Sequence, residues 1–156
     1  MDDRPEDRRA DAPVRASSSG IVIVVGVDGS PTSLHAGAYA AGLARRLHAR
    51  HVVVHVQSTP AWTMLAPEPS WPVHETLAAV ADEVRRQVEV GAAYAGIDVE
   101  FLAVNGDPYP ELCRAATAVH ADAVVVGASM HTGHRLMGSV AVRLVRAGRW
   151  PVTVVP

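Results

Sequence analysis

Val124-Val125-Val126-Gly127-Ala128-Ser129-Met130-His131-Thr132-Gly133-His134-Arg135-Leu136-Met137-Gly138-Ser139 runs from an unbroken apolar segment through a glycine-punctuated loop into a helix start. A strand covered on both faces reads as a continuous Val/Ile run, and open parallel sheets bind ligands beyond the carboxyl ends of such strands. Gly127 therefore stands where a site would stand. Gly138 and Ser139 open the next helix, where unpaired N–H groups and the positive end of the helix dipole favour an anion. The junction is a candidate phosphate site.

Moving outward, the same grammar recurs. Ile21 to Val27 is another buried-type run, closed by Asp28-Gly29-Ser30-Pro31, which supplies a turn, an N-cap serine and a proline at the first helical position. Ala36, Ala40, Leu43 and Leu47 then repeat at helical spacing as a core face, with Arg45, Arg46 and His48 outward. His51 to Gln57 is a second strand, so strand, helix and strand form a right-handed parallel crossover. Ser58 to Pro72 holds four prolines, and its Trp62, Met64, Leu65 and Trp71 are expected to pin the loop to the domain surface. Val73, Leu77, Val80, Val84, Val88, Gly91 and Ala95 form the stripe of a long amphipathic helix that Gly96 ends. Asp98 to Val104 is a third strand, its Asp98 and Glu100 suiting a sheet edge. Asp107 caps a short helix through Val119 that carries Cys113 as a small core residue. Ala123 to Gly127 is the fourth strand. Val140, Leu144 and Ala147 face inward on the last helix, Gly148 ends it, and Val152 to Val155 is the fifth strand. Five strands alternating with four helices predict a doubly wound α/β sandwich.

Composition narrows the function. The 156 residues, 49% of them hydrophobic, make one domain with an ample core. Residues 1–20 mix charges, Pro and Ser without a hydrophobic period and are expected to be a disordered tail, leaving 21–156 as the domain. Arg8-Arg9 has no apolar segment behind it of the kind an export signal needs, and no stretch is long enough to span a bilayer. The net charge of −2 speaks against a nucleic-acid partner. Cys113 is the only cysteine, which fits a reducing cytoplasm and rules out a disulfide framework. All fourteen basic residues are Arg, so no lysine exists for a P-loop or a Schiff base.

The chain resembles the universal stress protein family from Ile21 to Pro156. The resemblance is carried by Val27-Asp28-Gly29-Ser30, Gly106-Asp107-Pro108, Val124-Val125-Val126-Gly127, Gly138-Ser139-Val140 and Pro151-Val152-Thr153-Val154-Val155-Pro156. It implies a parallel sheet in the order 3-2-1-4-5 and a cytoplasmic stress-response or regulatory module rather than an enzyme. It further implies an adenine nucleotide, ATP in motif-bearing members, near Asp28, Val56, Gly127, Gly133, Gly138, Ser139 and Val140. Those members show G-x2-G-x9-G-[ST]. Here Met130 stands at the second glycine, and Gly127 to Gly138 spans eleven positions against thirteen in the full motif. A branch of the family that lacks the motif is not thought to bind ATP, and this loop leans that way. A functional ATP-binding member is the alternative. The family pairs its last strand across a two-fold axis, and Val152, Thr153, Val154 and Val155, uncharged and sticky as a bare edge, give the same homodimer by physics.

Other patterns weigh less. His131-Thr132-Gly133-His134 spells the H-x-G-H of nucleotidyltransferases, which would make the protein an enzyme of another class, but that signature normally follows the first strand. His131 and His134 have no carboxylate or third histidine nearby in sequence for a metal. Arg143, Arg146 and Arg149 recur near the end of the last helix, where the dipole alone favours cations. No catalytic constellation is assigned.

Overall fold

The computed structural model describes residues 20–58, 71–128 and 139–156. In chain order these form β1 (Val22–Gly26), α1 (Pro31–Leu47), β2 (Arg50–Gln57), α2 (Trp71–Ala95), β3 (Glu100–Asn105), α3 (Pro108–Ala118), β4 (Ala123–Gly127), α4 (Ser139–Ala147) and β5 (Val152–Val155). The five strands pair in parallel in the order β3-β2-β1-β4-β5. This is the expected sandwich. The tail, the loop residues Trp62, Met64 and Leu65, and the segment from Ser129 to Gly138 lie outside the described residues.

The unbroken Val runs follow from coverage of both faces. Ile23, Val25, Val53 and Val125 point to α1 and α2, meeting Ala36, Ala40, Ala44 and Val84. Val22, Val24, Val52, Val54, Val124 and Val126 point the other way onto Leu112, Cys113 and Ala116 of α3 and Ala141 and Leu144 of α4. Cys113 is buried in that layer, as a small hydrophobe should be.

Three helices meet the sheet on a slightly different phase from the expected one. On α1 the expected Ala36 and Ala40 make the contact together with Ala44, and Leu43 is half-buried against them as expected, while Leu47 is 42% exposed. Alanines let the helix axis approach the sheet closely. On α2, Ala81 and Ala92 are buried where Val80 and Gly91 were expected. The helix also starts earlier, at Trp71, so Trp71 and Pro72 belong to it rather than to the loop. On α4, Ala141 and Leu144 are buried while Ala147 is exposed.

The two sheet edges differ. β3 begins at Glu100, not Asp98, and Glu100 is held by Arg50 of β2, whose Nε donates to Oε2 at 2.9 Å. Its charge is therefore neutralised within the sheet. β5 carries no charge at all, and its four residues are each half-buried. Among the described residues no helix is long and apolar enough to cross a membrane.

Candidate functional site

β1 lies between β2 and β4, so the chain leaves it in opposite directions across the sheet, and the crevice beyond its carboxyl end is the topological switch point. A cleft of about 510 Å³ opens there, within the ~300–1,000 Å³ usual for small-molecule sites. Val54, Val56, Val126 and Leu112 give it an apolar floor, and the starts of α1, α3 and α4 form its rim through Pro31, Pro108 and Ser139. Three helix N-termini face one crevice. Their dipoles make it attractive to an anion, but α3 offers it no N–H, since Pro108 and Pro110 have none and those of Tyr109 and Glu111 go to Asp107.

One wall is the β1–α1 turn. Asp28 Oδ1 accepts from the Ser30 N–H at 2.9 Å, and Ser30 Oγ accepts from Ser33 N at 3.3 Å as the N-cap of α1. Ser33 Oγ donates to Ser30 O at 2.9 Å and accepts from Asp28 N at 3.2 Å, so the loop is tied at both ends by one buried hydroxyl. Burial pushes the Asp28 carboxyl up, but its hydrogen bonds with Ser30 and Ser33 outweigh that and leave it below the ordinary carboxylate value. Asp28 is thus an anion and a fixed acceptor at the cleft. Behind the turn, His55 on β2 donates its Nδ1–H to Val27 O at 2.8 Å, which fixes the proton on that nitrogen.

The opposite wall is the end of β4. A Cβ on Gly127 would fall 2.7 Å from Thr32 C and 2.8 Å from Ser33 N, both backbone atoms of the first turn of α1. Gly127 is required by that close approach itself, whatever else it does at the cleft. Of the residues expected from the resemblance, Asp28, Val56, Gly127, Ser139 and Val140 all line the cleft, and Gly133 and Gly138 lie outside the described residues. Thr32, Ser33, Pro108, Leu112 and Ala141 line it too and were not anticipated. The Ser30-to-Ser33 spacing, a helix-start pattern, was the available signal for the first two.

At the rim between α3 and α4, the Arg143 guanidinium lies 4.0 Å over the Tyr109 ring and 3.5 Å from Asp107 Oδ2. Past the end of α4, Arg149 sits 4.5 Å over Trp150 and donates to Thr117 Oγ1 at 2.9 Å. The arginine stripe is therefore not uniform. Two of its three members are seated on aromatic rings, a geometry worth about 0.5–1 kcal/mol at exposed sites.

Comparison with known proteins agrees with this geometry. The model of the "Universal stress protein family" matches residues 22–156. A universal stress protein of Methanocaldococcus jannaschii is 31% identical over 136 residues, covering 85% of this chain and 80% of the relative. The crystal structure of a universal stress protein family member from Burkholderia pseudomallei superposes with a TM-score of 0.70 at 29% identity, covering 90% of this chain and 99% of that one. A universal stress protein solved in complex with cAMP superposes with a TM-score of 0.63 at 30% identity, covering 87% of this chain and 96% of that one. The chain belongs to the universal stress protein family.

Proposed function

We propose that the protein is a non-catalytic, cytoplasmic regulatory module whose cleft takes an adenine mononucleotide and binds ATP weakly or not at all. The observation that carries this reading is the cleft itself, with three helix starts at its rim and the anionic acceptor Asp28 on one wall. Asp28 repels phosphate and accepts from hydroxyl groups, so a sugar belongs beside it and the phosphate at the far rim, by Ser139. Val54, Val56 and Leu112 offer an apolar bed to a base. Among the described residues, the Ala128 N–H is not available to a longer phosphate chain, because it is already given to Val155 O at 2.7 Å. The shortened Gly127-to-Gly138 spacing and Met130 point the same way. The relative solved with cAMP, a nucleotide with a single phosphate, supports this choice of ligand. Isothermal titration should give saturable binding of AMP or cAMP and no saturation by ATP in the low-micromolar range. Tight ATP binding would favour the motif-bearing type of member, and pyrophosphate release from ATP would make the protein an enzyme.

The same reading includes a homodimer formed by β5. The bonds from Val124 N to Pro151 O and from Ala128 N to Val155 O place the odd-numbered residues of β5 against β4, so Val152 and Val154 turn their backbone groups to the open edge. The Val154 side chain packs on the core below, so a lysine there would disturb folding as well as pairing. Val154→Pro removes one outward N–H and no bond to β4, and is expected to convert dimer to monomer in sedimentation. A wild-type protein that sediments as monomer at micromolar concentration would rule the dimer out.

A further inference from the structure

Arg143 stands one turn into α4 from Ser139 and Val140, which line the cleft, and its ring platform Tyr109 adjoins Pro108, which lines it too. Among the described residues, Asp28 is the only charged side chain in that lining. A phosphate held at the rim therefore brings negative charge to a place that already has Asp28 and Asp107, and Arg143 is a cation that the described residues bring to that rim.

The engagement of Arg143 differs from that of the other paired arginines. Arg86 and Arg114 reach their glutamates at 2.6 Å, and Arg50 reaches Glu100 through two nitrogens. Arg143 approaches Asp107 only to 3.5 Å, with both side chains about half exposed. With Cζ over the Tyr109 ring, the guanidinium makes one hydrogen bond among the described residues, the long one from Nη1 to Asp107, and its other N–H groups can meet a phosphate as a fork. Asp107 can release Arg143 without releasing its helix, because the cap is made by its other oxygen, Oδ1, accepting from Tyr109 N at 3.2 Å.

We infer that Arg143 is the phosphate-reading residue of the cleft and that it exchanges Asp107 for the phosphate of a bound adenine mononucleotide. The inference rests on the reading of the cleft as a mononucleotide site. It assigns Asp107 the role of a competing carboxylate that holds the guanidinium in place while the cleft is empty.

The test is calorimetric titration of wild type, Arg143→Gln, Arg143→Lys and Asp107→Asn with AMP, and with adenosine as the phosphate-free probe. Arg143→Gln is expected to weaken AMP roughly five- to tenfold while leaving adenosine unchanged, the size of a charge-assisted hydrogen bond at a half-exposed site. Arg143→Lys should restore only part of that loss, since an ammonium lacks the fork and the stacking face. Asp107→Asn keeps the cap and is expected to strengthen AMP roughly two- to threefold, the scale of a surface ion pair removed from competition. A gain from one substitution and a loss from its partner is a signature that damage to the rim would not give. The inference is overturned if Arg143→Gln binds AMP as wild type does, or loses AMP and adenosine alike. If wild type binds neither probe, the mononucleotide reading itself fails, and the role of Arg143 with it.

Discussion

Gly127→Ala is expected to destabilise the ligand-free protein by about 3 kcal/mol, the upper end of the ordinary range for overpacking, and Gly127→Val by more. The new Cβ would lie 2.7 Å from Thr32 C, and the atoms it meets belong to backbone rather than to a side chain that could swing aside. Relief requires β4 or the first turn of α1 to move, and that turn is the one fixed by Ser30 and Ser33. For a chain of this size each kcal/mol shifts Tm by about 2–4 °C, so the alanine variant should melt roughly 6–12 °C lower. Thermal unfolding without nucleotide is the decisive measurement. A glycine needed only so that a ligand can approach would leave that Tm where it is. Gly91→Ala is the matching control, since nothing lies within 4 Å of its Cβ position near the C-terminal end of α2 and the same change should stabilise by about 0.5–1 kcal/mol.

The contrast between these glycines shows where sequence reading stops. Strand runs such as Val124 to Val126 and the Asp28-to-Pro31 turn were legible because their signals are local: an unbroken apolar run, and capping chemistry within four residues. The helix phases were legible only to about one position. Whether Ala44 or Leu47, or Ala81 or Val80, is buried depends on how closely each helix packs, which the whole layer sets. The packing demand on Gly127 comes from Thr32, and the seat of Arg143 from Tyr109, each far away in sequence. In the chain itself the first reads as a phosphate glycine and the second as a dipole-favoured surface cation. The strand order came from family resemblance, and the pairing registers agree with it.

Acidification should destabilise the protein through His51, a residue that the sequence marked only as the start of a strand. His51 is 3% exposed on β2 opposite Ile23, and both of its ring nitrogens are buried with no hydrogen-bond partner among the described residues. Burial lowers its pKa from 6.5 to about 4. The fold thus favours the neutral ring, while the unfolded chain takes up a proton near 6.5. Stability from this residue is fully present above 6.5 and falls as the pH drops toward 4, by about 3 kcal/mol at ~1.4 kcal/mol per pH unit. His51→Leu keeps the apolar contacts and removes two unsatisfied polar atoms, so it should stabilise the protein by about 1 kcal/mol even at pH 7.5. Denaturant unfolding of both proteins from pH 8 to pH 4 should show the gap between them widening by about 3 kcal/mol as the pH falls. His55 is no substitute in this experiment, because its Nδ1–H is committed to the Val27 carbonyl behind the cleft, and replacing it strips that carbonyl of its donor. A gap between wild type and His51→Leu that stays constant with pH would mean that His51 finds a proton partner in the fold, and the acid sensitivity would have to be sought elsewhere.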